Sequence, residues 1–186
     1  MNRKQQLYNE KVVPVLQEKY GKKNILAVAK LAKITLNVGI GNEQTNREQV
    51  VKNVTKQMTA ITGQKPSVAL ARMSIASFKL REGEPVGIVV TMRGERMWDF
   101  LDRLVSLVLP QVKDFSGVSA TAFDQVGSYS LGLSEQIVFP EINYDDIDRV
   151  RGLQMIFTIK NSSGRDESFD LLKELGMPFK KEEKGN

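Results

Sequence analysis

Lys33-Ile34-Thr35-Leu36-Asn37-Val38-Gly39-Ile40 alternates without interruption. Ile34, Leu36, Val38 and Ile40 fall on one side of an extended chain. Thr35, Asn37 and Gly39 fall on the other, because successive Cβ atoms of a strand point to opposite faces. This period is that of a half-buried strand. Val86–Met92 repeats it, with Val86, Ile88, Val90 and Met92 toward the core and Gly87, Val89, Thr91 and then Arg93 outward. Leu153–Lys160 does the same, with Met155, Phe157 and Ile159 inward and Gln154, Thr158 and Lys160 outward.

Between these segments the period changes to that of a helix. Residues 3–19 place Leu7, Val12, Val15 and Leu16 on one stripe, with Pro14 removing a hydrogen bond or kinking the helix and Gly21 stopping it. Asn46 can cap a helix running to Thr62, with Val50, Val54, Met58 and Ile61 on one face and Gly63 beyond its end. Glu95–Leu109 is the strongest amphipathic helix, built on Met97, Phe100, Leu101, Leu104, Val105, Val108 and Leu109, and Pro110 is expected to end it. A last helix over Asp166–Leu175 closes at Gly176 and Pro178. Helices and strands mix irregularly, which predicts an α+β fold: helices on one face of a sheet whose other face is polar. No Pro-, Gly- or Ser-rich linker divides the chain. Residues 1–179 therefore read as one domain, followed by a charged tail, 180–186.

The outward positions Thr35, Asn37, Thr91, Arg93, Gln154, Thr158 and Lys160 include hydrogen-bonding and cationic groups and no carboxylate. A face of that kind suits phosphates and sugar hydroxyls. Charge is uneven along the 186 residues. Residues 1–96 carry a net +10 and residues 97–186 a net −5, within an overall +5. The acidic excess is concentrated in 97–150, at −6. One surface for a polyanion and another for water or a basic partner would account for this.

The chain contains neither histidine nor cysteine. Disulfides, zinc–thiolate sites, cysteine nucleophiles and Ser-His-Asp triads are thereby excluded, and acid–base catalysis loses its commonest side chain. The first residues, Met1 to Gln6, lead into a charged amphipathic stretch without an apolar h-region. The apolar run at Leu104–Leu109 is broken by Ser106 and is far short of a membrane span. A cytoplasmic protein with no membrane association, no metal and no cofactor is expected.

Three motifs bear on function. Gly39-Ile40-Gly41 lies between a strand and a helix, but Gln44 stands where a dinucleotide fingerprint needs glycine, so the glycines are read as a strand end open to close backbone approach. Asp145, Asp146 and Asp148 could hold a divalent ion in a metal-dependent enzyme, or start a helix, and the capping role is the better reading. Arg72 to Pro85 is too polar and irregular for core. It interleaves Arg72, Lys79 and Arg81 with Ile75 and Phe78, as a loop for an RNA backbone or an unstacked base would. An interaction module using the acidic 97–150 stretch could coexist with RNA binding.

The same loop carries a resemblance. Ser74-Ile75-Ala76-Ser77-Phe78-Lys79-Leu80-Arg81-Glu82-Gly83 is followed in order by Arg93-Gly94-Glu95-Arg96-Met97, Phe100-Leu101-Asp102-Arg103-Leu104, Leu109-Pro110, Asp114-Phe115, Tyr129-Ser130-Leu131-Gly132, Glu135-Gln136, Phe139-Pro140-Glu141-Ile142 and Leu175-Gly176-Met177-Pro178-Phe179. Leu36 to Gly41 and Thr62-Gly63-Gln64-Lys65-Pro66 precede it. The series, from about Tyr8 to Phe179, resembles the bacterial-type large-subunit ribosomal protein five family, binders of 5S rRNA. The resemblance implies a two-layer domain with a mixed, mostly antiparallel sheet, related in shape to RNA-recognition folds, and a long protruding loop.

It further implies a structural, non-enzymatic role in translation. The family's seat is on 5S rRNA in the central protuberance, with contacts to 23S rRNA, to peptidyl-site tRNA and to a small-subunit head protein. Asn37, Gln64 and Thr91 fall where the family contacts 5S rRNA, and Thr35 shares their face. Lys33, Lys65, Arg93 and Lys160 would neutralise phosphates. Arg72, Ser74, Ile75, Phe78, Lys79 and Arg81 fall where the family approaches tRNA.

Overall fold

The computed structural model describes residues 2–41, 46–143 and 147–180. Gln44, Asp145, Asp146 and the tail beyond Lys180 lie outside them. Five strands, β1 (Lys30–Gly39), β2 (Ser67–Leu70), β3 (Pro85–Met92), β4 (Tyr129–Leu133) and β5 (Leu153–Lys160), form one sheet in the order β2-β3-β1-β5-β4. β2 pairs with β3 antiparallel, Ser67 opposite Val89 and Val68 opposite Ile88. With α-helices among the strands, the architecture is mixed α+β.

The alternation read from the sequence holds on all three expected strands. Ile34, Leu36, Val38 and Ile40 are buried while Thr35 and Asn37 are half-buried. Met155, Phe157 and Ile159 are buried, and Gln154 and Lys160 are exposed. β3 departs at two positions: Val86 is only half-buried, and Gly87 on the outward side is buried. A Cβ built at Gly87 would lie 3.3 Å from the Val38 carbonyl oxygen and 3.5 Å from Asn37 Oδ1. The missing side chain makes room for Asn37.

The chain divides into two compact units. One consists of Met1–Ile34, Arg93–Leu131 and Ile156–Asn186, the other of Thr35–Met92 and Gly132–Met155.

In the first unit two helical stretches meet a proline and solve it alike. α1 (Arg3–Leu7) and α2 (Val13–Tyr20) are joined by a wider π turn, Tyr8–Val12, in which the Val13 N–H reaches back to the Tyr8 carbonyl. Pro14 follows immediately. α4 (Gly94–Arg103) and the short α5 (Leu109–Gln111) are joined by the π turn Leu104–Val108, in which the Leu109 N–H reaches the Leu104 carbonyl, and Pro110 follows. A proline ring clashes with the carbonyl four residues back and offers no N–H to it, and a wider turn relieves both problems. Pro110 therefore does not end the helix as expected; the helix passes it and stops at Gln111, with Val112 extended. The first π turn also rotates the downstream face, so Val13 is buried and Val15, expected in the core stripe, is 44% exposed.

Polar groups staple this unit. The Lys4 ammonium, 8% exposed, donates to the Leu175 carbonyl at 2.7 Å, at the end of α6 (Arg165–Glu174). Glu167, 1% exposed, accepts from Lys22 Nζ at 2.5 Å and from the Ser163 N–H at 2.7 Å. Burial opposes its charge, but these donors outweigh burial and hold the carboxyl below the usual range. Phe123, Tyr129, Phe169 and Phe179 form an aromatic cluster with ring centroids 4.6 to 6.2 Å apart.

In the second unit α3 (Arg47–Thr62) buries Val50, Val54, Met58 and Ile61, as its period requires, and Gly63 ends it in the left-handed conformation, φ 68°. Asn46 starts it differently than expected. It is left-handed itself, φ 56°, and its side chain caps no N–H; its carbonyl accepts from the Val50 N–H at 3.1 Å.

Candidate nucleic-acid interface

The second unit assembles the polar positions of β1 and β3 with the turn after α3. Thr35 on β1 and Thr91 on β3 bring their hydroxyl oxygens to 3.4 Å. Gln64 reaches the same point from the end of α3, its Nε2 donating to the Thr91 carbonyl at 2.9 Å. Its approach is set by Thr62, whose hydroxyl donates to the Met58 carbonyl at 2.7 Å and lies 3.1 Å from the Gln64 carbonyl. Asn37 stands on the same side of β1 as Thr35, half-buried beside Gly87. No described residue hydrogen-bonds its side-chain amide. Lys65, next to Gln64, is exposed. The group is thus three neutral side chains on a sheet, one amide beside them and a cation at the edge, a set that matches sugar hydroxyls, base edges and phosphate.

Lys33, Arg93 and Lys160 belong to the first unit. Lys33 is half-buried, and Arg93 and Lys160 are exposed; among the described residues none of the three has an ion-pair partner. Lys160 and Lys30 flank a hollow of about 390 Å³ with Tyr8 and Trp98 in its wall. Three other cations of this unit are paired: Arg3 with Asp102, Lys19 with Asp170 and Lys22 with Glu167.

The loop between β2 and β3 is exposed but not loose. Ala71 and Glu84 close its base, the Ala71 N–H donating to the Glu84 carbonyl at 2.8 Å. Ile75 and Leu80 exchange N–H to carbonyl bonds of 2.9 and 3.2 Å around a single 3₁₀ turn, Ala76–Phe78. Ser74 Oγ accepts from the Glu82 N–H at 2.9 Å, so its hydroxyl oxygen is engaged within the loop. Arg72, Lys79 and Arg81 point into water, and Phe78 is 70% exposed. Sequence reasoning overlooked Glu84, the loop's anchor. Its carboxylate accepts from the Arg81 N–H at 3.0 Å and pairs with Arg47 of α3. The Arg81 N–H, ahead of the Arg47 guanidinium, draws its pKa below the usual glutamate range. The available signal was an acid directly before Pro85, where the loop returns to the strand.

Of the carboxylate cluster only Asp148 is among the described residues. Asp145 and Asp146 lie outside the described residues. Asp148 starts no helix and is held by Arg151 in a two-pronged pair, 2.7 and 2.8 Å. That guanidinium keeps its pKa below the usual range. Among the described residues no three acidic side chains are placed to hold a metal ion, and no helix is long and apolar enough to cross a membrane.

Comparison with known proteins bears on what such a surface serves. Residues 24–81 match the family described as Ribosomal protein L5, and residues 85–179 match the family described as the C-terminus of the same ribosomal proteins. The chain belongs to the ribosomal protein L5 family. It is 50% identical to the large ribosomal subunit protein uL5 of Chloroflexus aggregans over 173 residues, 93% of this chain and 95% of that protein. The Synechocystis sp. uL5 is likewise 50% identical, over 94% of this chain and 96% of its own. The Lactococcus lactis subsp. cremoris uL5 is 48% identical over 97% and 99%. As an L5-family protein the chain is a structural component of the large ribosomal subunit and not an enzyme. The two family matches part at Glu82–Glu84, the base of the loop. The first carries Asn37, Gln64 and the cationic loop; the second carries Thr91, Arg93 and Lys160.

Proposed function

We propose that this L5-family chain binds 5S rRNA in the central protuberance through Thr35, Asn37, Gln64 and Thr91. Lys33, Lys65, Arg93 and Lys160 neutralise flanking phosphates of 5S and 23S rRNA. Residues 1–179 act as one RNA-binding domain of a cytoplasmic ribosome. The loop carrying Arg72, Ser74, Ile75, Phe78, Lys79 and Arg81 approaches peptidyl-site tRNA. The acidic 97–150 stretch, net −6, faces a basic small-subunit head protein.

The observation that carries this reading is Asn37. A half-buried amide with no hydrogen-bond partner among the described residues, beside a glycine that makes room for it, has donor and acceptor groups free to exchange water for a ligand. Thr35, Thr91 and Gln64 are already linked to one another and supply a rigid frame around it. Asn37→Ala and Thr91→Ala should each weaken 5S rRNA binding with folding intact; unchanged affinity in both removes the assignment. Neutralising about four phosphates predicts a log–log salt slope near −3, and a salt-independent affinity would point to a protein partner.

A further inference from the structure

The first unit contains a second surface with nucleic-acid chemistry, separate from the residues proposed above for rRNA and tRNA. It is an open groove of about 670 Å³ along α6, lined by Arg165, Phe169, Lys173, Pro178, Phe179 and Lys180 among others. Its floor is aromatic. Phe169 and Phe179 are both half-buried, their ring centroids 4.6 Å apart and their planes tilted by 39°. Both line the groove and also pack on Phe123. The rim is cationic. Arg165, Lys173 and Lys180 are exposed, against the single acid Asp166, and none of the three has an ion-pair partner among the described residues.

The groove is also held in shape. Arg165 Nη2 donates to the Ala120 carbonyl at 3.0 Å, which fixes its guanidinium at one wall. The opposite wall, Pro178 to Lys180, is laced to Val118: the Val118 N–H donates to the Pro178 carbonyl at 2.8 Å and the Lys180 N–H to the Val118 carbonyl at 2.9 Å. This close approach depends on Gly117, φ 105°, where a Cβ would fall 2.7 Å from the Lys180 nitrogen. A half-buried aromatic floor suits a planar partner, and three exposed cations around it favour an anionic one. An unstacked nucleotide supplies both, with its base on the rings and its phosphates on the rim.

We infer that this groove is a second RNA contact of the protein, one that takes a single unstacked nucleotide from a strand outside the sheet-face site. The electrostatic complement selects RNA over an apolar peptide, which would leave Arg165, Lys173 and Lys180 without partners.

The test uses the full chain with two probes, a hexauridylate and the corresponding abasic hexamer, and follows the amide signals of the groove by NMR. Hexauridylate should shift Phe169, Lys173 and Phe179, and the abasic hexamer should bind about 5- to 150-fold more weakly, the factor that one lost base stack predicts. Phe169→Leu should reduce hexauridylate affinity toward that of the abasic probe. Lys173→Glu with Lys180→Glu, both on exposed positions, should abolish binding whether or not Phe169→Leu folds well. Binding of 5S rRNA, measured in parallel, should be unchanged in the Lys173/Lys180 variant and reduced in Asn37→Ala. Equal affinity for the two probes, or hexauridylate binding unaffected by the double charge reversal, overturns the inference. Capture of an acidic peptide in preference to hexauridylate overturns it in favour of a protein partner. Loss of 5S rRNA binding in the groove variant overturns the claim that the groove takes a strand outside the sheet-face site, and unchanged 5S rRNA binding in Asn37→Ala overturns the sheet-face reading, so the two fail separately.

Discussion

On β1, Asn37 sits between Leu36 and Val38, both buried, and its direction is set by the core on the opposite face. Phe78, in the same compact unit, is 70% exposed and is carried by a 3₁₀ turn that Ile75 and Leu80 close with two backbone bonds. Asn37 inherits its position from hydrophobic packing, which resists small displacements. Phe78 inherits its position from local hydrogen bonds and from the Glu84 anchor at the loop base. The sheet site is therefore tied to folding stability, whereas the loop can change without the fold noticing. The 5S rRNA contact proposed for the sheet would suit the first kind of support, and the tRNA approach proposed for the loop would suit the second.

The largest break in this contrast should come at Gly87. Gly87→Val places a branched side chain against the Val38 carbonyl and Asn37. It should destabilise the protein by about 1–3 kcal/mol in urea unfolding and weaken 5S rRNA binding in the same variant. Unchanged stability and affinity would mean that the sheet face is more yielding than its core suggests. Asn37→Ala should separate the two readouts: 5S rRNA affinity falls by about 1–3 kcal/mol, while unfolding shifts by no more than about 0.5 kcal/mol.

Replacing Arg72–Gly83 by a short turn tests the other side. Unfolding should move by only a few tenths of a kcal/mol, because closing a shorter loop differs little in entropy, and retention of peptidyl-site tRNA should weaken with 5S rRNA binding intact. Unfolding by that deletion would make the loop a packing element.

The smallest effect is a local titration. The Glu84 carboxyl is held below its ordinary value of about 4.3 by the Arg81 N–H and by Arg47. A depressed folded pKa means that its contribution is complete above the unfolded value and is lost as pH falls through the folded one. The Arg81 amide signal should therefore move on acidification while that of Val90 in β3 stays put, and Glu84→Gln should abolish the movement.

The three long strands were legible because a buried face imposes a period of two that no other structure imitates. β2 and β4 were not. β2 has four residues with no fully buried position, so it carries no alternation to read. β4 alternates Tyr129, Leu131 and Leu133, but over only five residues, with Gly132 a poor strand former among them. Pro110 misled for a physical reason. Local rules make Pro110 a stop, yet burial of Leu104, Val108 and Leu109 favours continuing the helix past it, and the π turn is the compromise. Asp148 misled likewise: the acid that local rules place at a helix start is instead held by Arg151 three residues on, in a bend with no helix.

By itself the sequence determined what depends on nearest neighbours and on period: the strands β1, β3 and β5, the buried face of α3, the exposed cationic loop, and the chemistry ruled out by lacking histidine and cysteine. The tertiary structure alone decided which distant side chains meet. Gln64 reaches the Thr91 carbonyl, Arg47 finds Glu84, and Phe169 and Phe179 share a cation-rimmed groove. Such meetings depend on strand order and helix placement. Those follow from the summed burial of many apolar groups and from no local signal.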